Sequence, residues 1–227
     1  MRHTCARLLA VVAFAGLLSS PAAAAPLPTD HGTQSARYKG LTAGEWIAVW
    51  WQTFFTATPE AINEGAFGGD NRTVFLSAPV VPAGSPKVTL PLTIPAGTSL
   101  VVPIITVECS VAEGPPFHGE DETGLRSCAN GLLDLATDPY AEIDGNPVKN
   151  PGAYRVESPL FRYGPLPAEN ALSLPPGAQS DAVAAGYFLM LTPLSVGVHG
   201  IAIRANVAEA GLAVDAEFIV DVMPPGK

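Results

Sequence analysis

Hydrophobic and polar positions alternate with two different periods along this chain, and the changes of period mark its elements. In "LTAGEWIAVWWQTFF", residues 41–55, the residues Trp46, Ile47, Trp50, Trp51, Phe54 and Phe55 fall within one half of a cylinder at about 100° per residue. Ala48, Gln52 and Thr53 fall opposite. Thr42 and Glu45 have the spacing of a capping box, with Leu41 and Trp46 placed as a hydrophobic staple. The residue before Pro59 is driven out of helical geometry, so this amphipathic helix is expected to end near Thr58.

Beyond it the period shortens. "TVFLSAP", "KVTLPLTI" and "TSLVVPIITVEC" are β-branched runs punctuated by proline. The last is apolar at odd and even positions alike, as a central strand covered on both faces would be. Residues 120–136 return to helical spacing: Leu125, Cys128, Leu132 and Leu135 recur every three or four positions behind an acidic start that suits the helix dipole. "YAEIDGNPV" carries Asp144-Gly145, a strong hairpin signal. "AYRVESPLFRY", "GYFLMLTPL" and "VHGIAIRANV" read as further strands. In "VDAEFIVDV", Val214, Ala216, Phe218, Val220 and Val222 alternate with Asp215, Glu217 and Asp221, which predicts one buried and one wet face.

The pattern also defines a leader. Arg2 and Arg7 precede an apolar run over residues 8–18, and Ala22 and Ala24 follow it, which is the layout of a secretory signal peptide with cleavage after Ala24. The run is too short for an ordinary membrane-spanning helix, and no later stretch of 18 residues is free of charge or Pro/Gly breaks. The expected organisation is a signal peptide over residues 1–24, a polar, Pro-rich and disordered lead-in over 25–37, and one β-rich domain over 38–227. Cys5 lies within the signal. Export leaves Cys109 and Cys128, and an even pair in an oxidising compartment reads as one disulfide. The expected location is secreted or periplasmic.

Composition changes this picture in two respects. Gly and Pro together make up about a fifth of the 227 residues, while 48% are hydrophobic; this favours short strands with tight turns over disorder. The net charge is −9, and becomes −11 without Arg2 and Arg7. Such acidity argues against nucleic acid and anionic lipid surfaces as partners. The fold expected is mainly β: a β-sandwich or jelly-roll-like domain carrying an N-terminal Trp-rich helix and a second, disulfide-tethered helix.

"GEWIAVWWQ", "IPAGTSLVVPIITVECS", "LRSCANGLLD", "YRVESPLF" and "GYFLMLTPLSVGVHGI" resemble an uncharacterised group of secreted bacterial proteins with a G-E-W-x-x-x-W-W-Q opening and a Pro-Leu-Ser-x-Gly-x-His turn near the end. The resemblance covers most of residues 38–222. It implies export and a β-rich fold, and no activity.

Candidate chemistry is sparse. Trp46, Trp50 and Trp51 are either core or a platform for sugar rings, with core the plainer reading. Glu108, beside Cys109 at a strand end, and Glu157, in "YRVESP", are the candidate catalytic carboxylates of a glycosidase-like acid/base couple. Each has an ordinary alternative as the partner of an arginine, Arg126, Arg155 or Arg162. Glu45, Trp46, Trp51 and Arg126 are the candidate ligand-binding residues. "FHGEDE" gathers His118, Glu120, Asp121 and Glu122 without EF-hand spacing, and reads better as a solvated helix start than as a calcium loop. His199 is expected to face inward and hold a turn. Asn71-Arg72-Thr73 is a formal glycosylation sequon. No nucleophile elbow, zinc-protease, P-loop or dinucleotide signature occurs, and no metal or cofactor site is assigned.

Two function classes follow. One is a secreted, non-catalytic β-sandwich that binds carbohydrate or another envelope component. The other is a carbohydrate-active hydrolase or lyase using strand-borne carboxylates beside the Trp helix. They part on whether Glu45, Glu108, Glu157 and a tryptophan converge on one exposed cleft.

Overall fold

A computed structural model describes residues 37–69 and 72–224. The signal peptide, nearly all of the lead-in, Cys5 and the sequon's Asn71 lie outside the described residues. A short hairpin, β1 (Arg37–Tyr38) and β2 (Leu41–Thr42), leads into α1 (Ala43–Phe54) and α2 (Pro59–Asn63). Strands β3 (Ala66–Phe67), β4 (Thr73–Leu76), β5 (Val81–Pro82), β6 (Val88–Pro95) and β7 (Ser99–Ser110) follow. Helix α3 (Glu122–Leu133) precedes β8 (Thr137–Ile143), β9 (Asn146–Pro147), β10 (Arg155–Glu157) and β11 (Phe161–Tyr163). The chain then runs through β12 (Ser180–Leu191), β13 (Gly197–Val207) and β14 (Leu212–Met223).

These strands form two six-stranded sheets and the small β1–β2 pair. The first sheet has the order β10-β12-β7-β4-β3, with β11 also on β12; the second has β5-β14-β13-β8-β9, with β6 also on β14. Strand β6 carries Pro91 and Pro95 and runs parallel to β14; proline is tolerated at such an edge because it withholds no central ladder bond. The sheets pack face to face as a sandwich. Leu100, Val102, Leu189 and Leu191 of the first meet Ile201, Ile203, Phe218 and Val220 of the second in one buried cluster.

The alternation in "VDAEFIVDV" decides which face of β14 is inside: Val214, Ala216, Phe218, Val220 and Val222 are all buried. The Asp144-Gly145 signal appears as the β8–β9 turn, where both residues have positive φ, 51° and 75°. Two successive left-handed residues are what a tight hairpin turn of this hand requires, and Asn, Asp and Gly adopt them most readily.

The first sheet is covered on both faces, as the unbroken apolar run of β7 predicts. Helix α1 packs on the outer face against Val101, Ala184, Phe188 and Met190. Helix α3 packs on the inner face against Cys109, Val183 and Ala185, beyond the end of the second sheet. A register shift between Tyr187 and Phe188 marks the place where the inner face of β12 passes from α3 to the second sheet. The Cys109–Cys128 disulfide ties α3 to β7, with Cα atoms 6.1 Å apart. A cross-link of this loop length contributes roughly 3 kcal/mol by restricting the unfolded chain.

Three local expectations are corrected. Helix α1 stops at Phe54, and Thr58 instead caps the separate α2, its hydroxyl accepting from Ala61 N. Ala48, expected on the polar side, is buried. Strand β11 lies along that side of the helix, and the Gln52 side chain donates to Arg162 O at 2.8 Å. "AYRVESPLFRY" is two short strands, β10 and β11, interrupted at Ser158–Leu160 by Pro159, because proline cannot donate to the ladder.

Candidate binding surface

The Trp helix is built as its sequence dictates. Thr42 Oγ1 accepts from Glu45 N at 3.2 Å, and Glu45 Oε2 accepts from Thr42 N at 2.7 Å. These bonds hold the Glu45 carboxyl below its ordinary range, helped by the Arg37 charge. Glu45 is therefore occupied in capping.

The three indoles turn inward. Trp46 is 7% exposed and Trp50 3%; Trp51 is half-buried. Each indole N–H has a protein acceptor: Tyr38 O for Trp46, Leu76 O for Trp50 and Thr106 Oγ1 for Trp51. Trp50 stacks on Phe54 at 5.0 Å and meets Phe67 edge-on. An indole fixed in this way at both its ring and its N–H has no face left for a sugar.

Glu108 and Glu157 are not brought together. Glu108 pairs across the sheet with Ala184, on the α1 side, whereas Glu157 pairs with Ala185, on the α3 side. Glu157 is held there by Arg126 and by the Asn130 amide. Arg126 also pairs with Glu122 one turn back, and Arg155 with Asp134 at 2.6 Å. This network fastens α3 to β10. Arg126, a candidate ligand-binding residue, is thus engaged by two carboxylates of the protein itself.

Glu108 is 4% exposed. Burial first, then the hydrogen bond and charge of Glu113, push its carboxyl up to about 10. Its Oε1 has no partner. Ser110 Oγ donates to Glu113 Oε2 at 2.8 Å, and Tyr163 OH donates to Ser110 Oγ at 3.0 Å.

A third constellation escaped sequence reasoning. His199 Nδ1 lies 2.8 Å from Asp144 Oδ2, and Ser195 Oγ lies 3.3 Å from His199 Nε2. The composition is that of a hydrolytic triad, but the chemistry is not. Nε2 sits nearer the Ser195 carbonyl oxygen, at 2.9 Å, than the Ser195 hydroxyl, and a carbonyl can only accept, so the geometry favours a bond to the backbone over activation of the hydroxyl. The ring is 2% exposed. His199 pins two turns together, as expected of an inward-facing histidine. In the 118–122 loop, Asp121 caps α3 through Gly124 N, and Glu122 pairs with Arg126.

Among the described residues, one apolar surface feature stands out as having no internal role. Where the second sheet ends and α3 begins, the inner face of the first sheet is left partly uncovered, forming a cleft of about 520 Å³. Ile105 and Val107 of β7 form its floor. Leu132, Leu135, Ala136, Val80, Leu212 and Phe117 also line it. Val80 is 56% exposed, Phe117 42% and Leu212 37%. Glu209 is the one ionisable side chain in the lining. The sequence signal was the apolar stripe of residues 120–136, which is wider than the disulfide-side contact of α3 consumes.

Among the described residues no helix is long and apolar enough to cross a membrane. No protein-family model and no curated protein matches the chain. Among solved structures, 67% of this chain aligns with 99% of PbICP-C, solved in complex with falcipain-2, at 10% identity and a TM-score of 0.26. A likeness of that size carries no argument, so the functional reading rests on the chain's own geometry.

Proposed function

We propose that this chain is an exported, non-catalytic β-sandwich that binds the apolar chain of an envelope component in the cleft beside α3. The observation that carries the reading is the cleft itself: an apolar trough of ligand size, with three large exposed apolar side chains around it and a single carboxylate. Exposed apolar surface concentrated at one concavity is the ordinary mark of a binding site. The leader-like N-terminus and the disulfide support export. Trp46 and Trp50 are interior and their indole N–H groups are bonded within the protein, which favours the apolar cleft over a tryptophan sugar platform. Glu108 and Glu157 face opposite sides of the first sheet, which favours a non-catalytic reading over an acid/base couple of these two carboxylates.

The test uses chain from residue 25 onward, titrated with saturated fatty acids of increasing length and, in parallel, with oligosaccharides. A chain present at 100 times its Kd should stabilise the fold by about 2.7 kcal/mol. Val80→Glu and Leu212→Glu, at exposed positions, should abolish that gain while leaving the unliganded melting temperature in place. Absence of binding at every chain length, or binding indifferent to both substitutions, overturns the proposal. A saccharide response lost in Trp51→Ala would put the carbohydrate reading in its place.

A further inference from the structure

The apolar cleft has two unlike ends, one deep and apolar, the other open and acidic. Strand β4 pairs with β7 only at Ser99, Leu100 and Val101. Among the described residues, β7 beyond Val101 is therefore paired on its β12 side alone until Ser110 meets His118. Ile105, Thr106 and Val107, the three half-buried residues of an otherwise buried strand, lie along this open edge. A second cavity of about 120 Å³ adjoins the cleft there and shares Val80, Ile105 and Thr106 with it. Trp50, Trp51, Phe54, Ile104 and Val214 also line this second cavity.

Burial rises along two strands from the cleft to the second cavity. On β14, Leu212 in the cleft is 37% exposed and Val214 in the second cavity 4%. On β7, half-buried Val107 of the cleft gives way to fully buried Ile104. No ionisable side chain lines the deep end. The Trp51 N–H donates to Thr106 Oγ1, which itself donates to Ala185 O, so both groups are already satisfied by the protein. Such a space accepts hydrocarbon and penalises polar groups, and its small volume has room for the end of one chain.

The open end carries Glu209. It stands three residues before Leu212, in the short helical turn Ala208–Ala210, and is exposed. Among the described residues its side chain forms no hydrogen bond or ion pair, and no Lys, Arg or His lines either cavity. The negative charge there is uncompensated by the protein, so a cationic head is favoured beside it and an anionic one is repelled.

We propose that the ligand of the cleft is a single-chain amphiphile with an ammonium head, its head on Glu209 and its tail directed toward Trp51 in the second cavity. This inference rests on the cleft reading above and adds the charge and direction of the ligand. A carboxylic acid of the same length still enters, through its tail alone and more weakly. Glu209 is thus the residue that sets head-group specificity, while the apolar lining holds the chain.

The experiment titrates the chain from residue 25 onward with decylammonium and with decanoate, each below its micelle-forming concentration, following heat and indole emission. At low ionic strength the ammonium compound should bind about ten-fold more tightly, the attraction of one head adding to the repulsion of the other. High salt should narrow the difference. Glu209→Gln should bring the two affinities together and Glu209→Lys should invert them, with the unliganded melting temperature unchanged at this exposed position. Bromine on the terminal carbon of the chain should quench indole emission more than bromine next to the head, since Trp50 and Trp51 line the deep end. Equal affinity for the two compounds, or a preference unmoved by Glu209→Gln, overturns the head-group assignment and leaves the cleft reading standing when Val80→Glu abolishes both. Stronger quenching by the head-side bromine overturns the direction. Binding of neither compound, or binding that survives Val80→Glu and Leu212→Glu, overturns the cleft reading and this inference together.

Discussion

Glu108 and Glu157 stand on the two strands that flank β12, and their side chains point to opposite faces of the first sheet. Their cross-strand partners, Ala184 and Ala185, are consecutive residues, and consecutive residues of a strand face opposite ways. The sheet therefore separates two polar systems. On the α3 side, Glu157 meets Arg126 and Asn130 and serves as an anchor for a helix. On the α1 side, Glu108 is buried under the influence of Glu113, which accepts from the Ser110 hydroxyl, and among the described residues no ion pair is formed by it. Identical side chains on the two strands beside β12 thus have opposite electrostatic situations.

The Glu108 environment sets a pH dependence. Its carboxyl is raised in the folded state, so between the ordinary carboxyl range and pH 10 the folded chain holds a proton that the unfolded chain has lost. Its contribution is present at low pH and is lost as pH rises through that window, at a slope of up to about 1.4 kcal/mol per unit. Denaturant midpoints measured from pH 5 to 9 should fall with pH. Glu108→Gln should flatten the profile and be the more stable protein at pH 8. A wild-type profile already flat over this range would contradict the assignment.

Trp50→Ala should be severely destabilising. Its ring is 3% exposed, packed between Phe54, Phe67 and Phe188, with its N–H on Leu76 O. Truncating such a residue costs about 3–5 kcal/mol. Iodide should scarcely quench a variant that keeps only Trp50, and should quench one that keeps only Trp51 more strongly.

Thr42→Ala should cost about 1 kcal/mol, the usual value of an N-cap. It removes the acceptor of Glu45 N and leaves Glu45 capping Thr42 N alone. Thr42→Ser retains the hydroxyl and should recover most of the loss in a urea titration.

Arg126→Met should cost about 1–3 kcal/mol, since it strips a partner from the partly buried Glu157 and removes a bond to Ser158 O. Arg162→Met, at an exposed pair with Asp181, should change stability by no more than about 0.5 kcal/mol. Hydrogen exchange should show faster opening of α3 in the first variant and no change in the second.

Much of the architecture was legible from residues a few positions apart. The Thr42–Glu45 box, the amphipathic arc of α1, the Asp144-Gly145 turn and the alternation of β14 depend on bonds and faces that repeat within one turn or one pleat. The Cys109–Cys128 pairing needed only arithmetic once export was supposed. The functional geometry needed the tertiary structure. A period of two says that Glu108 and its neighbours alternate between faces, but the register of β7 and β10 on β12 decides which face each carboxylate takes. That register joins segments far apart in the chain and carries no local signal. The apolar cleft exists because α3 and the second sheet cover the same face of the first sheet without meeting, a consequence of their relative lengths and of the shift at Tyr187. The side chains of Ser195, His199 and Asp144 meet because two turns abut, and the Ser195 carbonyl, invisible in any motif, decides that they form a clasp. Local periodicity selects the elements, and long-range pairing selects which of their side chains share a space.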